Sequence, residues 1–451
     1  MALTQSPPDN FAGGTPHPYR WMMLGGVWLL YFAFALAIAS MAPLVYRLMS
    51  DLGMHRAEMG TVLAAWQLTY IFAAIPCGGL LDRFGPRRMI FASVLVIAIS
   101  VALRGVATDY VTLLLAVMVF GLGGPLISSG APKIVSLWFA GKERGLAMGI
   151  YFTGNATGGI IAVALTNSLF LPAVGDGWRD LMSAYSLFIL LVGMLWLAIS
   201  AHPASREMEA KLKAEKKRPS LDVFFELVRD PTIRLILLMG LFILFYNHGM
   251  NHWLPELLRS YGMTPTEAGY WAAIPTLFGM VASLLLPRMA TPDKRFLILL
   301  GLFICAAIAA FMVMSASGLL LAVGLVLQGM CRGAMTSISI LLLIESGDGN
   351  TGRVGAASGL YFSVGEIGGV LGPMSMGALA HSTGNFDASL LMMFGVACLL
   401  VLILMDRTAS RRSPMATPTM MTRTATLWTA TSNGSPSPAT FSRMCSLCPP
   451  A

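Results

Sequence analysis

Charge is scarce in this chain. Of its 451 residues, 12% are Asp, Glu, Lys or Arg, about half the ~25% usual in soluble proteins. So few charges cannot cover a water-soluble globule, which excludes a soluble enzyme, a nucleic-acid binder and a disordered protein. No G-x-x-x-x-G-K-[ST] loop is present to cradle phosphates, so the chain itself is not expected to hydrolyse ATP. No metal or nucleophile constellation suggests an enzyme, and no cofactor is expected. Residues 1–20 are polar and rich in Pro and Gly. They lack an apolar core and a small-residue cleavage site, so no signal peptide is expected. Cysteine is rare too, with six in all. Cys77, Cys305, Cys331 and Cys398 fall in apolar stretches, where a thiol packs as a small apolar group. Cys445 and Cys448 form a lone C-x-x-C, too little by itself for a metal or redox site.

What the chain does have is apolar residues, at 56% against ~45–50% in ordinary domains. They form twelve stretches, near 21–46, 58–80, 88–107, 111–138, 145–171, 181–201, 232–257, 268–288, 296–315, 318–344, 355–380 and 388–405. A membrane helix needs about 20 such residues. The runs are continuous rather than alternating, which excludes a lipid-facing β-barrel. The expectation is an all-α polytopic membrane protein with twelve transmembrane helices. Its parts would be an N-terminal segment 1–20, a first bundle 21–201, a polar loop 202–231, a second bundle 232–406 and a disordered tail 407–451. The loop carries Arg206, Lys211, Lys213, Lys216, Lys217 and Arg218 among Glu207, Glu209 and Glu215. Pro203 and Pro219 bracket a stretch that is either a short surface helix or a solvated linker.

Lys and Arg placement sets orientation. With a cytoplasmic N-terminus, that side holds Arg83, Arg87, Arg88, Lys142, Arg144, the loop cluster, Arg288, Lys294, Arg295 and Arg353. The other side holds Arg47, Arg56, Arg104, Arg179 and Arg259. Both termini are therefore expected in the cytoplasm of a cell with the chain in its inner (plasma) membrane. The net charge of +8 follows from this bias and not from a nucleic-acid partner.

The two halves repeat. Pro43 and Arg47 are matched by Pro255 and Arg259. Gly53-Met54, Glu58 and Gly60 recur as Gly262-Met263, Glu267 and Gly269. Gly149, Tyr151, Phe152, Gly158 and Gly159 recur 210 residues on as Gly359, Tyr361, Phe362, Gly368 and Gly369. A six-plus-six duplication of this kind puts a substrate site at the repeat interface near the bilayer midplane.

Between the second and third stretches stands Gly79-Leu80-Leu81-Asp82-Arg83-Phe84-Gly85-Pro86-Arg87-Arg88. It resembles the G-x-L-x-D-R-x-G-x-basic-basic loop of the major facilitator superfamily, and the resemblance covers roughly residues 20–406. It implies two pseudo-symmetric six-helix halves working by alternating access, with spans one, four, seven and ten around a central cavity. It also implies that Gly79, Asp82, Arg83, Gly85, Arg87 and Arg88 gate the cytoplasmic side. The same charges can simply enforce topology. By its chemistry, Asp82 can pair with Arg83 or with a neighbouring helix N-terminus. Span four lacks the Arg, and span five the Gly-Pro step, of proton-driven drug exporters. Both absences count against a standard drug–proton antiporter.

Ionisable groups inside a span are costly and usually functional. Arg332 lies about 21 Å along span ten at 1.5 Å per residue, and Glu366 is equally deep in span eleven. Lys133 lies near the cytoplasmic end of span four and can snorkel. Arg332 either binds an anionic substrate with its planar fork or forms a buried structural pair with Glu366. A third reading joins these: Glu366 holds Arg332 at rest and takes a proton when substrate arrives. In span seven, Asn247 and Asn251 share one face, as do His248 and His252. They could line the cavity, bond neighbouring helices, or share a metal ion, although no metal site is expected. Tyr31, Tyr46, Gln67, Asn155, Gln328 and Tyr361 are further cavity candidates. The reading is a secondary active transporter, not an enzyme. It would move a small anion (a monocarboxylate or cyanate-like ion) with Arg332 and Lys133 as its cations, and with protons at Glu366 or exchange as the drive. A monomer in lipid suffices. The alternatives are an exporter of apolar or cationic compounds and a non-transporting receptor.

Overall fold

The computed structural model describes residues 17–214, 229–315, 318–346 and 351–412. The segment 1–16, the stretch from Glu215 through Pro219, and the tail beyond Arg412 with Cys445 and Cys448 lie outside the described residues, as do the side chains of Lys142, Lys211, Lys213 and Arg353.

Among the described residues there is no strand, and twelve long helices follow one another. The first half holds α1 (Arg20–Ala39), α2 (Arg56–Phe84), α3 (Pro86–Gly105), α4 (Tyr110–Trp138), α5 (Gly141–Leu165) and α6 (Trp178–Ser200). The second holds α7 (Pro231–Ser260), α8 (Pro265–Met289), α9 (Arg295–Val313), α10 (Gly318–Ser346), α11 (Thr351–Thr383) and α12 (Asp387–Arg412). A further unit, Met405–Ala451, is described only as the end of α12. Among the described residues ten spans are long and apolar enough to cross a membrane, and α2 makes an eleventh if its 57° bend at Pro76 is counted within one span. The twelfth, α11, is diluted by its glycines, serines and Glu366. It needs less apolar surface because it packs between α7 and α2 inside the bundle.

Several helix starts are written in the sequence. His55 and Glu58 form a capping box for α2, as Thr264 and Glu267 do for α8, with Pro265 in the first turn. Each box satisfies amide donors that have no partner within the helix. This explains the first repeat. Gly53 and Gly262 make the turns before these helices at φ +64° and +96°, a region where glycine escapes the Cβ clash. Glu58 and Glu267 close the boxes. Gly60 and Gly269 then let the halves touch, since a Cβ there would lie 2.8 Å from the Pro373 carbonyl and 2.7 Å from the Val163 carbonyl. In the second repeat, Gly158 rests on the Phe32 carbonyl of α1 and Gly368 on the Leu241 carbonyl of α7.

Packing follows the same symmetry. In the first half α1 lies on α5, α2 on α4, and α3 on α4. In the second α7 lies on α11, α8 on α10, and α9 on α10. The halves meet where α2 crosses α11 and α5 crosses α8, a pair of contacts that the pseudo-two-fold exchanges. Span one does not run unbroken to residue 46 as expected. It stops at Ala39, turns through a 3-10 segment at Ala42–Leu44 and resumes as Val45–Asp51. In the central loop, Pro203 opens a helix to Ala214. Arg104, counted among the far-side cations, is 2% exposed at the end of α3. It donates to the Ala37 carbonyl at 2.9 Å, at the end of α1, where a cation suits the helix dipole.

Candidate functional site

One group of polar residues lies midway along α2, α7, α10 and α11. The Arg332 guanidinium on α10 donates to Asn251 Oδ1 on α7. Among the described residues no carboxylate lies within 4 Å of it. The expected alternative of an Arg332–Glu366 pair is therefore not the arrangement present. Glu366 Oε2 instead faces His248 Nε2 at 3.8 Å. The other ring nitrogen of His248 lies 3.2 Å from Gln67 Nε2, on α2 of the opposite half. Trp66 sets its edge against the same imidazole, with centroids 5.9 Å apart. His248 and His252 stack at 5.9 Å. Several buried atoms without a hydrogen-bond partner belong to residues of these helices: both amide atoms of Gln328, Asn247 Oδ1, Gln67 Oε1, His252 Nε2, Trp66 Nε1 and Glu366 Oε2. Native interiors seldom leave such groups bare, and several together mark a place for water or a ligand.

Two rims flank this cluster. One is the face bearing the start of α1, called here the N-terminal face. There Asp82 Oδ1 accepts from Lys133 Nζ at 2.5 Å, so the carboxylate pairs with α4 rather than with Arg83. Arg83 lies over the Phe84 ring. Arg87 donates to the Ser200 carbonyl at 3.2 Å, and Arg88 is exposed. Gly85 takes φ +87° and ψ 150°, capping α2 and starting α3. A Cβ there would overlap the Glu209 carboxylate of the loop helix. On this side Gly78, Gly79, Gly145, Gly149 and Gly359 face no atom within 4 Å.

The far rim is closed. Arg259 lies 3.9 Å over the Tyr46 ring, joining the halves, and Glu256 holds it with two bonds of 2.7 and 2.9 Å. Arg56 of α2 donates to the Gly384 carbonyl at 3.0 Å, and His55 stacks on His381. Asn167 donates to both the Pro43 and Pro265 carbonyls. A cavity of about 20 Å³ remains between Pro43, Tyr46, Arg47, Pro255, Glu256 and Arg259, so the repeated Pro and Arg positions face each other across the pseudo-axis.

The profile described as Major Facilitator Superfamily matches residues 27–373 and again 254–433. The chain belongs to this superfamily. It is thus a non-enzymatic, multi-pass membrane transporter. It is 26% identical over 299 residues to the "Probable L-galactonate transporter" of Escherichia coli (strain K12), covering 62% of this chain and 63% of that protein. To the "Quinolone resistance transporter" of Acinetobacter baumannii it is 25% identical over 376 residues, covering 77% and 85%. The solved nucleoside transporter NupG has the same fold: TM-score 0.72 at 14% identity, over 85% of this chain and 99% of that one.

The transporter brings Arg332 to Asn251 and His248 to Glu366, all singled out from sequence, with Gln328 and Asn247 one turn away from Arg332 and Asn251 on their helices. Other candidates lie elsewhere. Lys133 is held by Asp82 at the N-terminal rim. Tyr361 is fully buried, its ring against Gly240 of α7. The Tyr31 hydroxyl donates to the Ser128 carbonyl at 3.3 Å, inside the first half. Asn155 is half-buried on α5. Sequence reasoning missed Trp66 and the Glu256–Arg259 clamp. The i, i+3 spacing of that Glu and Arg was the available signal.

Proposed function

We propose that this transporter carries a small organic anion, with Arg332 as the group that receives the carboxylate. The observation that carries the reading is a mid-bundle guanidinium held, among the described residues, by a neutral amide and no carboxylate. A cation buried without a counterion is costly, and its free edge can take a carboxylate through paired, charge-assisted hydrogen bonds. Asn251 orients the fork, and Gln328 and Asn247 offer unfilled hydrogen-bonding groups beside it. Glu366 is the coupling carboxylate, acting through His248 and not by direct contact with Arg332. Lys133 belongs to the rim, where it and Asp82 take part in gating. Both termini face the cytoplasm of the plasma membrane, so the closed far face is external and the arrangement is inward-open. The galactonate named for one relative is a carboxylate of the kind proposed.

The test is thermal melting of purified protein in detergent with galactonate, lactate, cyanate, glucose, and a quinolone. A ligand that binds only the folded state raises the melting temperature as its concentration passes Kd. Stabilisation by an anion in the parent and not in Arg332→Ala supports the reading. Stabilisation of both proteins by the quinolone alone replaces it with the exporter reading.

A further inference from the structure

His248 is contacted from both halves of the bundle. On α2 its neighbours are Trp66 and Gln67, with Tyr70 one turn along. On its own helix they are His252 and, one turn away, Asn251, which holds Arg332 of α10. On α11 the facing group is Glu366. Gln67 Nε2 is the amide atom at 3.2 Å from His248 Nδ1, and an amide nitrogen can only donate. Nδ1 is then the bare acceptor, and the ring proton sits on Nε2, toward Glu366. Gln67 Oε1 is left buried without a partner. A second proton on Nδ1 would meet the amide N–H head on. Turning the amide over would relieve that clash and give Oε1 the donor it lacks.

The charge count points the same way. With His248 neutral, Arg332 and Glu366 cancel across the cluster. A monoanion on Arg332 alone leaves a net negative charge in the bundle, and one proton on His248 restores neutrality. Empty and doubly loaded states are both neutral, whereas a singly loaded state carries a charge into the low-dielectric interior.

We propose that His248, clamped between Gln67 and Glu366, is the binding site of the transported proton, and that one proton travels with each monoanion in the same direction. This rests on the anion reading above.

The experiment measures anion binding and proton uptake together, using galactonate, lactate and cyanate added to detergent-solubilised protein in weakly buffered solution with a pH dye. In the parent, binding should take up about one proton per anion, and Kd should rise about tenfold per pH unit on the alkaline side. His248→Asn should need more anion for the same stabilisation, with no uptake and a flat pH profile. Gln67→Glu places a carboxylate against Nδ1 and keeps the proton on the ring, so it should bind the anion more weakly and without uptake. It serves as the second variant should His248→Asn fail to fold. Full uptake in either variant overturns the assignment to His248. Binding in the parent without uptake overturns symport. If none of the three anions stabilises the parent, the anion reading falls and this inference with it.

Discussion

Replacing Arg332 separates a binding role from a structural one. Its guanidinium spends one edge on Asn251 and has no carboxylate beside it among the described residues. Were it half of a buried ion pair, Arg332→Ala would strip a carboxylate of its partner and cost roughly 3–5 kcal/mol of stability. In the arrangement present, the substitution removes a half-buried cation that touches no carboxylate and leaves one Asn251 acceptor bare, so the ligand-free protein should melt close to the parent temperature. Binding should suffer instead. Arg332→Lys keeps the charge but loses the fork. Losing one charge-assisted hydrogen bond at about 1.5–3 kcal/mol weakens anion Kd by roughly 10–150-fold. Arg332→Ala should abolish detectable binding. Melting curves with and without galactonate, lactate or cyanate read both quantities in one titration. A ligand-free Arg332→Ala protein that melts far below the parent, or an Arg332→Lys protein with parental affinity for the stabilising anion, refutes the reasoning.

At the far rim, a Cβ on Gly377 would lie 2.8 Å from the Trp253 ring and 3.1 Å from Gly60. Gly377→Val should therefore prise α2 from α11, and a cysteine placed at Asn247 should become reactive to an impermeant thiol reagent from that side. Glu256 is 2% exposed, so Arg259→Ala should strand its carboxylate and cost up to about 3 kcal/mol. Glu256→Gln in the same protein should recover most of the lost melting temperature. Gly85→Ala meets both a φ of +87° and the Glu209 carboxylate. Adding Glu209→Ala should relieve the collision and leave a backbone cost of about 1–3 kcal/mol. Asp109 caps α4, and its bond from the Thr112 amide holds its carboxyl below the usual 3.8. The stabilisation is present above the unfolded value and lost as pH falls through the lowered one. Asp109→Ala should thus melt lower than the parent near neutrality and converge with it in acid.

Much of this was legible along the chain because span length, repeat spacing and capping signals are one-dimensional. Glu58 and Glu267 announce their helices, and depth along a span comes from counting at 1.5 Å per residue. Azimuth does not. Arg332 and Glu366 are equally deep, which made them plausible partners. Yet Glu366 turns toward α7 and reaches His248, while Arg332 finds Asn251 on another turn of the same helix. Lys133 looked like a second substrate cation because nothing in its own span opposes it. Its partner, Asp82, is 51 residues away on α2 and close only once α2 lies on α4. Arg104 sits near the end of an apolar run, where nothing in its own span announces a partner. The Ala37 carbonyl that draws it inward belongs to α1.

The repeat also shows where the symmetry stops. Counting back 210 residues, as the second repeat does, Glu366 corresponds to Ala156. Counting back 212, as Pro255 does to Pro43, His248 and Asn251 correspond to Leu36 and Ala39. The first half thus keeps the shared glycines and caps but carries apolar residues where the second carries His248, Asn251 and Glu366. Its contribution to the polar cluster is neutral, through Gln67 and Trp66. A site built this way keeps Arg332, His248 and Glu366 within one half, so rocking need not break contacts between charges. Rocking of the kind the family resemblance implies would change the bond between Gln67 and His248, a polar link between the halves at mid-depth. A proton added at His248 alters that link at once. It can bias the motion of one half against the other without any charged group crossing the interface.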